Sequence, residues 1–224
     1  MATHWVGFVL ALTVITLGVL VMARSSADVL TTDEYVAIDG ATLRANVVAS
    51  QALVAVLVLG TARVAGVPWS AFGWRGIGGA GLGVVAGVAL AIPNLALGRM
   101  LDDRTLRQAE AMRSLLAPET RRGWIVLVVV VVPVIAISEE LLFRGALIGA
   151  AAIGLGVSPW VLAVPSSLAF GVAHQAQGTV GVVATAAFGF ALAATFVATG
   201  DLLVVVVAHA VVDVAEFLLH EARS

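Results

Sequence analysis

The stretch GWIVLVVVVVPVIAISEELLFR, residues 123–144, decides the fold. Sixteen uncharged, mostly branched aliphatic residues run from Gly123 to Ser138, close to the ~20 needed to cross a bilayer as a helix. Glu139 and Glu140 follow at once, and Arg144 comes four places later. A charged side chain at the centre of a spanning helix costs roughly 2.5–3.5 kcal/mol, so adjacent acids after such a run need a partner: another side chain, water or substrate. On a helix Glu140 and Arg144 share a face, acid before base, the favourable order. Glu139 lies about 100° around from Glu140, which leaves the two carboxylates free to play different roles.

The rest of the chain agrees with a membrane setting. Of 224 residues, 61% are hydrophobic and 12% charged, values far from those of a soluble domain. All twelve basic residues are arginine and the formal net charge is −2, so no basic tail or lysine block points to nucleic acid. The absence of cysteine excludes disulfides, thiolate metal sites and a cysteine nucleophile. The first apolar run, Val6 to Ala23, is preceded by no basic residue and is long enough to span, and is expected to be an uncleaved helix rather than a signal peptide.

Further spans are predicted near Val47–Gly66, Gly78–Leu97, Gly123–Leu142, Trp160–His174, Val180–Val197 and Leu202–Leu219, with a shorter apolar piece at Ala146–Val157 helping to complete the bundle. The expected fold is all-α, a polytopic membrane helical bundle of 7–8 transmembrane helices. It forms a single domain over 1–224, with N-terminal helices and loops over 1–119 and a chemically distinctive core over 120–220. Residues 24–46 read as a polar, acid-rich connector. Residues 99–122 carry six arginines, with Leu106, Ala109, Met112 and Leu116 at helical spacing, which predicts a short helix on the headgroups. The arginines put both loops on the cytoplasmic side. Glycines such as Gly81, Gly83, Gly87, Gly145 and Gly149 are expected to let helices approach closely, and Trp5, Trp69, Trp74, Trp124 and Trp160 to anchor span ends at the interface.

Two more pairs of residues stand out inside apolar segments. Phe170 and His174 are four apart, as are His209 and Asp213, and each pair shares a helix face; Glu216 and His220 continue the second stripe. Each histidine alone is as readily structural as functional. With the glutamates, a single polar site is the economical explanation.

Glu139-Glu140-x-x-x-Arg144, Phe170-x-x-x-His174 and His209-x-x-x-Asp213, in that order, resemble the three motifs of the CPBP family. These are intramembrane proteases related to type II CAAX prenyl endopeptidases and to bacteriocin-processing and bacteriocin-immunity proteins. Phe143-Arg144-Gly145 and Thr199-Gly200 are similar to that family's usual surroundings, and the resemblance covers about residues 120–220. It implies that Glu140 acts as general base on a water, supported by Glu139 and Arg144, with His174 and His209 lining the same site. General physics agrees, since a carboxylate stripped of water is a stronger proton acceptor. His209 could stabilise the oxyanion as a donor. Asp213 stands where the family commonly has asparagine, and either orients His209 or itself carries a proton.

The resemblance leaves the metal open. Glu140, His174 and His209 would make a His₂Glu set suited to a divalent metal such as zinc, whereas an arginine beside the glutamates weighs against an obligatory cation. Other protease chemistries lack residues. His220-Glu221-Ala222-Arg223-Ser224 has Ser224 where a zincin helix needs its second histidine, Asp201 has no intramembrane aspartate to pair with, and Ser158, Ser166 and Ser167 lack a glycine-framed turn. The expected function is therefore an intramembrane endopeptidase acting on a membrane-associated peptide or small membrane protein, multi-pass in a bacterial cell membrane. The rivals are a proton-coupled transporter with a Glu/His/Asp relay and a non-catalytic immunity or scaffold protein.

Overall fold

The computed structural model describes residues 3–30, 39–98 and 114–221, and among these the bundle is built from seven main helices. They are α1 (Trp5–Leu30), α2 (Gly40–Ala65), α3 (Ala80–Gly98), α4 (Arg121–Leu155), α5 (Pro159–Ala173), α6 (Gly178–Thr199) and α7 (Leu202–Glu221). Six of these stretches are long and apolar enough to cross a membrane, and α5 is a shorter apolar helix. The protein is a polytopic helical bundle. Valines and leucines such as Val6, Leu10, Val64, Val85 and Val161 point outward, exposed, as suits lipid rather than water. The core gathers Phe8, Leu12, Val58, Phe72, Phe143, Phe170 and Leu192.

Helix α4 departs from expectation. The piece Ala146–Val157 is no separate helix but the second half of α4, because nothing between Leu142 and Ala146 breaks the backbone; Arg144 and Gly145 are simply buried within it. The chain leaves α4 at Gly156, whose left-handed φ of 65° lets the N–H groups of Gly156 and Val157 cap the carbonyls of Ile153 and Ala152. Two stretches of α4 widen into π-helical turns, Leu127–Val131 and Leu141–Ala150. The first precedes Pro133, whose missing N–H interrupts the regular ladder. The second begins directly after Glu140, and π turns are frequent at functional sites.

The connector expected over 24–46 is shorter at both ends. Helix α1 continues to Leu30, with Arg24 and Asp28 paired at 3.2 Å, and Asp39 caps α2 by accepting from the N–H groups of Ala41 and Thr42. Of the headgroup helix expected over 99–122, residues 99–113 lie outside the described residues; 114–116 are helical, and Thr120 caps α4 through Gly123 N–H at 3.1 Å.

Small residues set the closest approaches. A Cβ on Gly83 would come within 2.8 Å of the Val204 carbonyl, and one on Gly87 within 2.8 Å of the Ala208 carbonyl, so α3 lies directly against α7. Gly149 likewise faces the Ala71 carbonyl, at 2.7 Å from where a Cβ would stand, whereas Gly81 faces open space. These contacts fix α7, which carries His209. Between α5 and α6 the turn Gln175–Gln177 stops beside the middle of α1: Gln175 Nε2 donates to the Leu20 carbonyl at 3.4 Å, ten residues short of Leu30.

Candidate active site

Glu140 and Arg144 are wholly buried, at 0% and 1% exposure, and one carboxylate oxygen organises their surroundings. Glu140 Oε1 accepts from Arg144 Nη1 at 2.7 Å and from His209 Nδ1 at 2.7 Å. The α4 spacing of four residues makes the first contact; the α3 glycines, by seating α7, make the second. Arg144 also donates from Nη2 to the Gly189 carbonyl of α6 at 2.9 Å, and its guanidinium lies 4.4 Å from the Phe170 ring centre, a cation–π contact in a dry setting. Gly189 has to be small, since a Cβ there would stand 2.8 Å from the Phe170 ring and 3.2 Å from Arg144 Nη2.

Glu139 is held differently. Its Oε1 accepts from Gln51 Nε2 of α2 at 2.9 Å, and the neighbouring Ser138 hydroxyl donates to the Gln51 backbone carbonyl at 2.7 Å. Its Oε2 is buried and makes no hydrogen bond among the described residues. That atom lies 3.9 Å from His174 Nε2 and 3.9 Å from His209 Nε2, and Asp213 Oδ1 is 3.5 Å from the same His209 nitrogen. Such separations are too long for direct hydrogen bonds but suit groups that share one bridging oxygen at about 2.8 Å from each.

The imidazole orientations follow from the partners. His174 Nδ1 faces the Phe170 carbonyl at 2.8 Å; a carbonyl only accepts, so Nδ1 carries a proton and Nε2 of the neutral ring is an acceptor. His209 Nδ1 must donate to the Glu140 carboxylate. A second proton, on Nε2, would make its ring an imidazolium whose charge is countered by Glu140 and Asp213. Phe170 lies beneath the whole group, with ring centres 5.1 Å from Phe143, 4.7 Å from His174 and 5.9 Å from His209, while Phe188 covers His209 from α6 at 5.7 Å.

Thus Glu139, Glu140, Arg144, His174, His209 and Asp213 all meet in one cluster, and Phe170 is its packing centre. Sequence reasoning missed Gln51, Ser138, Phe188 and the Gly189 carbonyl. Gln51 left a signal, as an amide inside the apolar run Val47–Gly66 that needs a hydrogen-bond partner in a membrane; a backbone carbonyl leaves none. Ser166 and Ser167 donate to the carbonyls of Phe143 and Ala163 at 2.6 and 2.7 Å, and so are helix-packing groups.

The His₂Glu set of Glu140, His174 and His209 does not converge in this arrangement. Glu140 Oε1 is taken by a guanidinium and by His209 Nδ1, while His174 gives Nδ1 to the Phe170 carbonyl and turns Nε2 to Glu139 Oε2 at 3.9 Å. Among the described residues no group of three or more His, Cys, Asp or Glu is arranged to hold a metal ion.

Fold and cluster together define a multi-pass helical membrane protein with a buried carboxylate–imidazole site. Residues 121–215 match the family model of Type II CAAX prenyl endopeptidase Rce1-like proteins. That segment runs from the start of α4 into α7 and carries Glu139, Glu140, Arg144, His174, His209 and Asp213, so the part of the chain that is similar to the Rce1-like family is the part that holds the three motifs. The similarity supports, at family level, a membrane-embedded endopeptidase of the CAAX type. No curated protein and no solved structure matches the chain.

Proposed function

We propose that this protein is an intramembrane endopeptidase of the cell membrane that hydrolyses a peptide bond in a membrane-associated peptide or small membrane protein, with Glu139 rather than Glu140 as the general base. The supporting observation is the buried, unbonded Glu139 Oε2, 3.9 Å from Nε2 of both histidines. Glu140 also has an oxygen without a hydrogen bond among the described residues, Oε2, but the residue is wholly buried and its Oε1 accepts from both Arg144 and His209, donors that stabilise its ionised form and weaken it as a base.

The groups divide into acceptors and a donor. Glu139 Oε2 and His174 Nε2 are both acceptors, so a water between them can point one hydrogen at each and leave a lone pair aimed at a peptide carbonyl carbon. As the C–O bond forms, Glu139 takes the proton. The carbonyl oxygen becomes an oxyanion within reach of His209 Nε2–H, held in place by Glu140 through Nδ1 and by Asp213. Collapse breaks the C–N bond, and the proton on Glu139 passes to the leaving amine, giving an acid and an amine from peptide and water. Every step is made by side chains of this chain and one water.

Cleavage of a quenched-fluorescence peptide library by purified protein in detergent tests this, with wild type, Glu139→Gln and Glu140→Gln compared, each with and without a strong chelator. The expected result is loss of kcat by at least about 10²-fold in Glu139→Gln with KM little changed, and no effect of the chelator. Full activity in Glu139→Gln would end the assignment of the base. Inhibition by the chelator, reversed by added zinc, would mean metal-assisted chemistry in its place. Cleavage by none of the three would favour a proton-coupled transporter or a non-catalytic binding protein.

A further inference from the structure

The N-terminal helices lie outside the family match at 121–215, yet one of their side chains reaches the site. We infer that Gln51 of α2 is a positioning residue for Glu139, fixing which carboxylate oxygen faces the histidines; this rests on the reading of Glu139 as the base. Two consecutive residues of α4 grip the same residue of α2. Ser138 donates to the Gln51 backbone carbonyl at 2.7 Å, and Glu139 Oε1 accepts from the Gln51 amide at 2.9 Å. A carboxylate offers only acceptors, so the amide must present its nitrogen, and the side-chain orientation is determined by chemistry.

The identity of the donor matters as much as its place. Glu139 and Glu140 are neighbours in sequence, but Glu140 is bonded to a guanidinium and Glu139 to a neutral amide. A cationic donor would stabilise the ionised carboxylate and weaken it as a base, whereas an amide orients it and leaves most of its basicity. A glutamate side chain free to rotate would offer either oxygen, or neither, to the water. With Oε1 tied to α2, Oε2 alone is presented to His174 and His209. Alignment of the attacking water between two acceptors therefore depends on a helix that contributes no other group to the chemistry described.

The experiment compares Gln51→Leu and Gln51→Glu with wild type on a peptide selected from the library as cleaved by wild type. Leucine removes the donor at similar volume. It is expected to lower kcat about 10- to 100-fold, the range of one hydrogen bond to a charged group, with KM nearly unchanged because substrate contacts remain. Glutamate sets a second carboxylate against Glu139, and the two compete for a proton; the acid limb of the kcat–pH profile is expected to move to higher pH. A purely structural Gln51 would lower thermal stability without moving that limb. Infrared spectroscopy supplies a readout independent of turnover: the antisymmetric carboxylate stretch lost in Glu139→Gln identifies Glu139, and it should shift in Gln51→Leu. An active wild type with unchanged kcat and an unshifted band in Gln51→Leu would overturn this inference alone. A wild type that cleaves no peptide would remove the hydrolase reading and this inference with it.

Discussion

Replacing Glu140 with leucine should destabilise the protein far more than replacing Glu140 and Arg144 together. In the single variant the Arg144 guanidinium, 1% exposed, keeps only the Gly189 carbonyl at 2.9 Å and the face of Phe170 at 4.4 Å, while its Nε already lacks a hydrogen bond among the described residues. Breaking a buried ion pair from one side costs about 3–5 kcal/mol, a large share of a typical stability of about 5–15 kcal/mol. Glu140→Leu with Arg144→Met removes both charges at similar volume, and such exchanges are often neutral or stabilising. The coupling energy should then be about 3 kcal/mol, at the top of the usual range for contacting residues. Unfolding titrations with a denaturing detergent in mixed micelles, followed by tryptophan fluorescence, give all four stabilities of the cycle. Additive effects, with the double variant as unstable as the two single losses combined, would refute the ion-pair argument. The double variant should still fail to cleave peptide, because His209 Nδ1 has lost its acceptor.

Phe170→Ala should cost about 3–5 kcal/mol in the same titration and lower kcat, since one ring supports Arg144, His174 and His209. Gly87→Val would force a Cβ against the Ala208 carbonyl and Val211; a loss of about 1–3 kcal/mol together with reduced activity, transmitted through α7, is expected, and a neutral result would mean that α3 and α7 can separate freely. Outside the membrane spans, the Thr42 hydroxyl and then its backbone N–H hold the Asp39 carboxyl below the ordinary carboxylate value. A depressed folded value stabilises the cap fully above the unfolded value of 3.8 and loses that contribution as pH falls through the folded one. Hydrogen exchange at Ala41, Thr42 and Leu43 should therefore quicken, beyond the intrinsic rate change, below about pH 3.8, and unchanged protection there would count against the cap.

Apolar runs of spanning length, and charges too costly to leave alone within them, made the bundle and the membership of the cluster legible from sequence. The roles of Glu139 and Glu140 were not legible. Adjacency says only that the two point about 100° apart, and which one meets Arg144's partner helix and which meets α2 depends on packing that the motif does not encode. The continuity of α4 was hidden for a related reason: Arg144 and Gly145 look like the end of a span until the π-helical stretch and the buried ion pair show them to be inside one. Gln51 was visible as a lone amide among aliphatic residues, but its partner, 88 positions away, could not be read from spacing.

The deep stop of the α5–α6 turn gives the molecule two unlike sides with respect to its membrane. Gln175 meets α1 ten residues before that helix ends, about 15 Å at 1.5 Å per residue, and His174 adjoins that turn. By alternation along the chain, the ends of α1, α5 and α7 and the starts of α2 and α4 lie on one side, and it is from that side that the turn is sunk. Reconstituted into sealed vesicles in both orientations, the enzyme would show latency: a water-soluble peptide would be cut by the molecules whose sunken turn faces outward, and the remaining activity would emerge when the vesicles are dissolved.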